Sequence, residues 1–280
     1  MPFIEILKRS LKHRGIIIGG TLLLFFVLVA IIGPHLTIHD PIHRVRGEQL
    51  KPPSREYPLG TDTQGRDILT RLIHGTSISL TVGLIAVGVG AVAGTVLGMV
   101  AGYAGGWVDH LIGRIIDIML AFPGILLALL IILILGPGLE NVMIAVGISR
   151  IPAFARLVRG SVLSTKETDY VVAARAAGAG DISIMFRHIL PNVFAPLLVY
   201  ATLGVGTAIL AAASLGYLGL GAQPPTPEWG LMLSQSRDYI RYAPWTTTSP
   251  GVAIMLVVIA VNTMGDGLRD VLDPRLRGGG

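Results

Sequence analysis

Apolar positions in this chain come in long unbroken runs rather than in the alternation of a half-buried strand or the single stripe of a soluble helix. The hydrocarbon core of a bilayer takes about 20 mostly apolar residues per helix, and six stretches meet that length. Residues 15–33 contain no Asp, Glu, Lys or Arg. No such residue occurs between Arg71 and Asp109 either, which predicts a helix over 77–101 closed by Gly102, Gly105 and Gly106. A third span, 111–135, carries Asp117 and a kink at Pro123. The fourth, 139–163, is the most polar, with Arg150, Arg156 and Arg159 and an interruption at Pro152. The fifth, 191–215, opens on Pro191, whose missing N–H costs nothing at a helix start. The sixth covers 251–267. The pattern predicts an all-α integral membrane protein with six transmembrane helices.

The first run is longer than the apolar core of a signal peptide, typically about 7–15 residues. It ends Ile32-Gly33-Pro34-His35 rather than at a small-residue cleavage site, so it reads as an uncleaved anchor. Lys8, Arg9, Lys12 and Arg14 precede it. Positive residues mark the cytoplasmic side, so residues 1–14 and the tail 268–280 are both expected there. Residues 34–75 then form an external loop, and 76–267 hold the remaining five helices. Between residues 62 and 73, Ile68, Leu69, Leu72 and Ile73 share a face against Asp62, Gln64, Arg66, Asp67 and Arg71. That division predicts a short helix lying flat in the interface, capped by Thr61 or Asp62. The second outer segment, Gln223-Pro224-Pro225-Thr226-Pro227-Glu228-Trp229-Gly230, is stiffened by its prolines, and Trp229 suits headgroup level.

Composition agrees with the spans. Of 280 residues, 52% are hydrophobic and 14% charged, against about 25% charged in soluble domains. This composition rules out a disordered chain and argues against a soluble enzyme. The net charge of +5 is spread over loops and forms no nucleic-acid stripe. Cysteine is absent, so thiolate metal sites, disulfides and catalytic thiols are ruled out. No Gly-x-x-x-x-Gly-Lys-Ser/Thr phosphate loop, His-Glu-x-x-His pair or Gly-x-Ser-x-Gly elbow occurs. His35, His39 and His43 are spaced for one helix face, but Pro34 and Pro41 break that stretch, so they read as loop histidines and no metal site is expected.

Ionisable residues within spans are costly and tend to be functional. Asp117 has Arg114 within one turn and reads as a structural pair. Arg150 stands about eleven residues into its span, about 16 Å deep at 1.5 Å per residue. It should face a water-filled pathway or an ion-pair partner on another chain. Gly90, Gly94, Gly98 and Gly102 recur on one face of the second span, the spacing that lets membrane helices approach closely. That face reads as tight packing, or as a face that slides during transport.

The longest inner loop is 164–190. Alanines over 173–177 favour helix, Gly178 and Gly180 allow a turn, and a second short helix follows from Asp181. The result is a helix–turn–helix knob with an apolar tip, suited to a groove on another protein. The segment resembles the loop of binding-protein-dependent ABC importer permeases, whose pattern is Glu-Ala-Ala, three residues, Gly, nine residues, Ile-x-Leu-Pro. Ala173, Ala174, Gly178, Leu190 and Pro191 match in register, while Val172 stands for Glu and His188 for Ile. Pro58-Leu59-Gly60-Thr61-Asp62, Gly65-Arg66-Asp67, residues 219–230 and Met264-Gly265-Asp266-Gly267-Leu268-Arg269 are similar to the second permease subunit of dipeptide, oligopeptide and nickel importers.

The resemblance implies a type I ABC importer permease fold in the plasma (inner) membrane of a bacterium or archaeon. It implies a second homologous permease subunit, two ATPase subunits that hold ATP and Mg, and an external solute-binding protein. The chain itself would hold no cofactor and be no enzyme. Ala173, Ala174, Arg175, Ala177, Gly178, Gly180 and Asp181 would be the contact that couples ATP hydrolysis to alternating access. Dipeptides or oligopeptides are the expected solutes, with nickel and glutathione as alternatives. A secondary carrier working alone would need paired intramembrane carboxylates, which the spans lack. A structural scaffold would have no use for the knob.

Overall fold

The computed structural model describes residues 12–272; Lys8, Arg9 and the tail beyond residue 272 lie outside the described residues. Ten α-helices make up the described chain: α1 (Arg14–Leu36), α2 (Ile68–Ala104), α3 (Gly106–Leu120), α4 (Gly124–Leu135), α5 (Leu139–Thr165), α6 (Asp169–Ala176), α7 (Asp181–Ile184), α8 (Leu190–Tyr217), α9 (Trp229–Ser236) and α10 (Trp245–Leu272). A wide π turn, Met185–Ile189, joins α7 to α8, so Asp181–Tyr217 runs as one 37-residue rod. Five helical segments are long and apolar enough to cross a membrane. α3 and α4, bent 93° at the break, make a sixth span if counted together. Pro152 sits inside α5 without interrupting it.

The centre of the bundle is the contact of α2 with α5. The two run parallel, and both step by four residues along the seam. A Cβ built on Gly90 would stand 2.8 Å from Arg150 Cβ, on Gly98 2.5 Å from Ala155 O, and on Gly102 2.8 Å from Val162 Cβ; on Gly94 it would run into Phe154. From the other side, Gly147 meets Val89. With no apolar driving force between helices in lipid, such close backbone approach is what supplies the packing energy. α4 and α8 complete this core through Ala128, Ile132, Ala208 and Leu215. α1 lies at the edge against α10, with Gly19 seated on the Ala260–Met264 turn and His13 Nε2 3.3 Å from Asp270 Oδ2.

The flat interfacial helix expected over 62–73 does not form. Residues 62–67 are a loop, and from Ile68 the chain is already α2, continuous into the membrane. Neither Thr61 nor Asp62 is the cap. Asp67 is, accepting from Leu69 N and Thr70 N and from the Thr70 hydroxyl at 2.6 Å. The polar face that suggested surface is turned inward, where Asp62 holds Arg66 at 2.7 Å and lies 3.5 Å from Arg71. Arg71 also donates to the carbonyls of Pro41 and Pro225, and Arg66 to Gln235. Both guanidiniums are fully buried. Trp229 is likewise not at headgroup level. It is fully buried, stacked edge-on to Phe26, with its indole N–H donating to Leu72 O. Residues 37–67, α9 and the proline segment thus form one cap over one end of the bundle.

Candidate functional site

The knob occupies the opposite end. α6 closes on Ala177, and Gly178 takes φ +86. The Ala179 N–H returns to Ala174 O and the Gly178 N–H to Arg175 O, both at 3.0 Å. This pair of bonds is the left-handed helix stop for which glycine is preferred. Gly180, in extended conformation, then starts α7, with Ile184 N bonded back to its carbonyl. The turn falls at the glycines singled out in the sequence. The second arm, however, is not a separate short helix but the first turns of the long rod that becomes α8.

Two sets of contacts fix the knob to the bundle. Val171, Ile184, Ile189 and Val193 are fully buried against Met99, Val158 and Val162 of α2 and α5. Around that core Lys166 donates to Gly102 O at 3.0 Å, Asn192 to the Tyr170 hydroxyl, and the Tyr103 hydroxyl to Asp181 Oδ1 at 2.6 Å. Arg175 lies 5.9 Å over the Tyr103 ring, within cation–π range. Facing outward are Val172, Ala173, Ala176, Ala177, Ile182 and Phe186, with Arg175, Asp181 and Arg187 also exposed. A Cβ at Gly178 or Gly180 would meet nothing in this chain. Tyr103, Lys166 and Ile182 were not among the residues the sequence pointed to. A lone tyrosine at the end of a glycine-rich helix carries no periodic signal.

A second polar feature lies within the bundle. Arg150 Nη2 donates to Thr207 Oγ1 at 2.9 Å across α5 and α8, while its Nε is buried without a partner. It borders a cavity of about 220 Å³ lined by Gly124, Ala128, Ser149, Ala153 and Ala211. Two further pairs of span charges form between helices rather than along one. Asp117 does not pair with Arg114, as its sequence neighbourhood suggested, but with Arg156 at 2.8 Å, and Asp109 holds Arg159 through both oxygens. These pairs line a further cavity of about 360 Å³ between α3 and α5. His35, expected in a loop, lies in the last turn of α1, while His39 stacks on Tyr57 and His43 donates its amide to Asp40; among the described residues no three His, Asp or Glu converge on a metal position.

Residues 94–278 match the family described as binding-protein-dependent transport system inner membrane component, and residues 2–53 match the N-terminal transmembrane domain of oligopeptide transport permease C. The chain belongs to this permease family. It is 51% identical over 276 residues to the dipeptide transport system permease protein DppC of Alkalihalophilus pseudofirmus, covering 99% of this chain and 91% of that one. Against the di/tripeptide permease DppC of Pseudomonas aeruginosa the identity is 49%, over 96% and 91%. The glutathione permease GsiD of Salmonella typhimurium is 47% identical, over 99% and 92%. Among solved structures, a chain of the inward-facing methionine ABC transporter MetNI superposes with a TM-score of 0.61 at 24% identity, covering 73% of this permease and 97% of that chain. That likeness concerns the fold alone, which is of the type I ABC importer kind. The protein is thus a multi-pass inner-membrane transport subunit of an ABC importer, and its family implies ATPase and solute-binding partners.

Proposed function

We propose that this permease forms, with one homologous permease subunit, the pathway of an importer for di- or oligopeptides. Two ATPase subunits, holding ATP and Mg, drive it by alternating access, and an external binding protein delivers the solute. Both termini are cytoplasmic, so the knob over 164–190 points to the ATPases and the cap to the binding protein. Ala173, Ala174, Arg175, Ala177, Gly178, Gly180 and Asp181 form the ATPase contact, and Arg150 faces the pathway. The observation that carries this reading is the knob itself. Its outward surface exposes small and apolar residues beside Arg175, Asp181 and Arg187, and its inner surface is bonded to three different membrane helices. The two relatives of highest identity given above, both named for peptides, favour that solute over nickel or glutathione. The test is uptake into proteoliposomes holding the complete complex, with labelled dipeptide, glutathione or nickel and the binding protein outside and ATP inside. ATP-dependent accumulation of dipeptide alone supports the reading; accumulation of nickel or glutathione but not dipeptide reassigns the solute, and uptake without the ATPases removes the mechanism.

A further inference from the structure

We infer that Arg150 is the station at which the C-terminal carboxylate of a peptide is held in mid-membrane. This deepens the peptide-importer reading and rests on it. An arginine about 16 Å along a membrane helix needs a counter-charge, a water-filled cavity or both. Among the described residues no carboxylate lies within ion-pair distance of it. Its one hydrogen bond goes to a neutral hydroxyl, Thr207 Oγ1, and its Nε is buried and unbonded. The guanidinium is therefore held in place but left with donors to spare.

The surroundings fit a small anionic group. The adjoining cavity, about 220 Å³, is walled mostly by small residues, Gly124, Ala128, Ser149, Ala153 and Ala211, together with Ile125 and Val146. Small walls leave room for side chains of different size, while the guanidinium supplies a fork of donors that a carboxylate accepts in two parallel bonds. Every peptide has such a carboxylate whatever its sequence. A site of this kind reads the backbone terminus and ignores side chains, which suits a carrier of mixed peptides. The packing holds the arginine from behind. Gly90 and Gly204 leave space for its stem and its head, at 2.8 Å and 3.5 Å from where their Cβ atoms would be, so the side chain lies in a groove of backbone.

The test compares uptake of a dipeptide with uptake of its C-terminal amide, using the complete complex and one binding protein so that delivery cancels in the ratio. Arg150→Cys should lower free-acid uptake about tenfold or more and raise the amide-to-acid ratio by a similar factor. The chain has no other cysteine, so the new thiol is its only one, and the native complex treated with the same reagents corrects for modification of the partner subunits. An aminoethyl adduct restores a cation and should return both values toward native; a sulfonatoethyl adduct should not. Equal loss of acid and amide uptake would mean that Arg150 pairs with a protein carboxylate, and would overturn the proposal. So would native uptake in the unmodified variant, or failure of both Arg150→Cys and Arg150→Lys complexes to assemble. A native complex that imports no peptide would instead overturn the importer reading beneath it.

Discussion

Tyr103, in the last turn of α2, donates its hydroxyl to Asp181, the first residue of α7, across 78 positions of sequence. The bond ties the end of the central glycine helix to the root of the second knob arm, and Arg175 lies over the same ring from the first arm. One side chain thus joins both arms to the bundle. Tyr103→Phe keeps the ring and removes the bond, which as a bond to a charged carboxylate is worth up to about 1.5–3 kcal/mol. Assembly should survive, while ATP hydrolysed per peptide imported should rise. An unchanged ratio would show that the bond is a static brace.

The seam between α2 and α5 should be intolerant of bulk at defined positions only. Gly98→Val places methyl groups against Ala155 O and Val158, whereas Gly88 in the same helix has nothing near its Cβ position. Overpacking typically costs about 1–3 kcal/mol. Gly98→Val should therefore lower the thermal unfolding midpoint of the detergent-solubilised complex, and Gly88→Val should leave it near native. Equal midpoints would mean that the seam gives way easily.

At Gly178 two effects can be separated. The left-handed backbone penalises any side chain by about 1–2 kcal/mol, but no atom of this chain stands in the way of one. Gly178→Ala should cost only that strain and retain most transport. Gly178→Trp has the same strain, so any further loss measures what covers the knob. Released ATPases or uncoupled hydrolysis in Gly178→Trp alone would place the ATPase there; matching behaviour of the two variants would leave the turn uncovered.

Acidity should act on the cap through Glu228. Burial holds its carboxyl above the ordinary carboxylate range, against the opposing pull of the Gly230 and Leu231 N–H groups. The folded form therefore favours the protonated acid. The stability this contributes is complete below the unfolded-state value and is lost as pH rises through the folded-state value. Glu228→Gln keeps a carbonyl acceptor for one of those N–H groups and removes the titration. Its unfolding midpoint should be flatter than native over the acid-to-neutral range; identical slopes would assign the dependence to other groups.

The spans were legible in the sequence because twenty apolar residues have few other uses, and the knob because alanine and glycine mark a helix and its stop. The sequence misled where a local pattern had a distant partner. Arg66 and Arg71 look like surface charges until Asp62, Gln235 and the Pro225 carbonyl are brought over them. Asp117 looks paired within its helix because i−3 neighbours are visible in a sequence, whereas Arg156 comes from another helix. Trp229 resembles an interfacial anchor by type, yet only the fold reveals Leu72 O above its indole. Periodicity reports which face of a helix is apolar, not what the other face meets.

The absence of a joint between the second knob arm and the fifth span has a mechanical consequence. Residues Asp181–Tyr217 form one rod of about 55 Å at 1.5 Å per residue. A rod pivoting near one end moves its far end by about 1 Å for each degree of tilt at that length. Thr207, the hydroxyl that steadies Arg150, rides on it. Leverage of this kind converts a small push at the tip into displacement beside the buried arginine, and the five-residue π turn at Met185–Ile189, between the tip and Thr207, is the point at which the rod would flex.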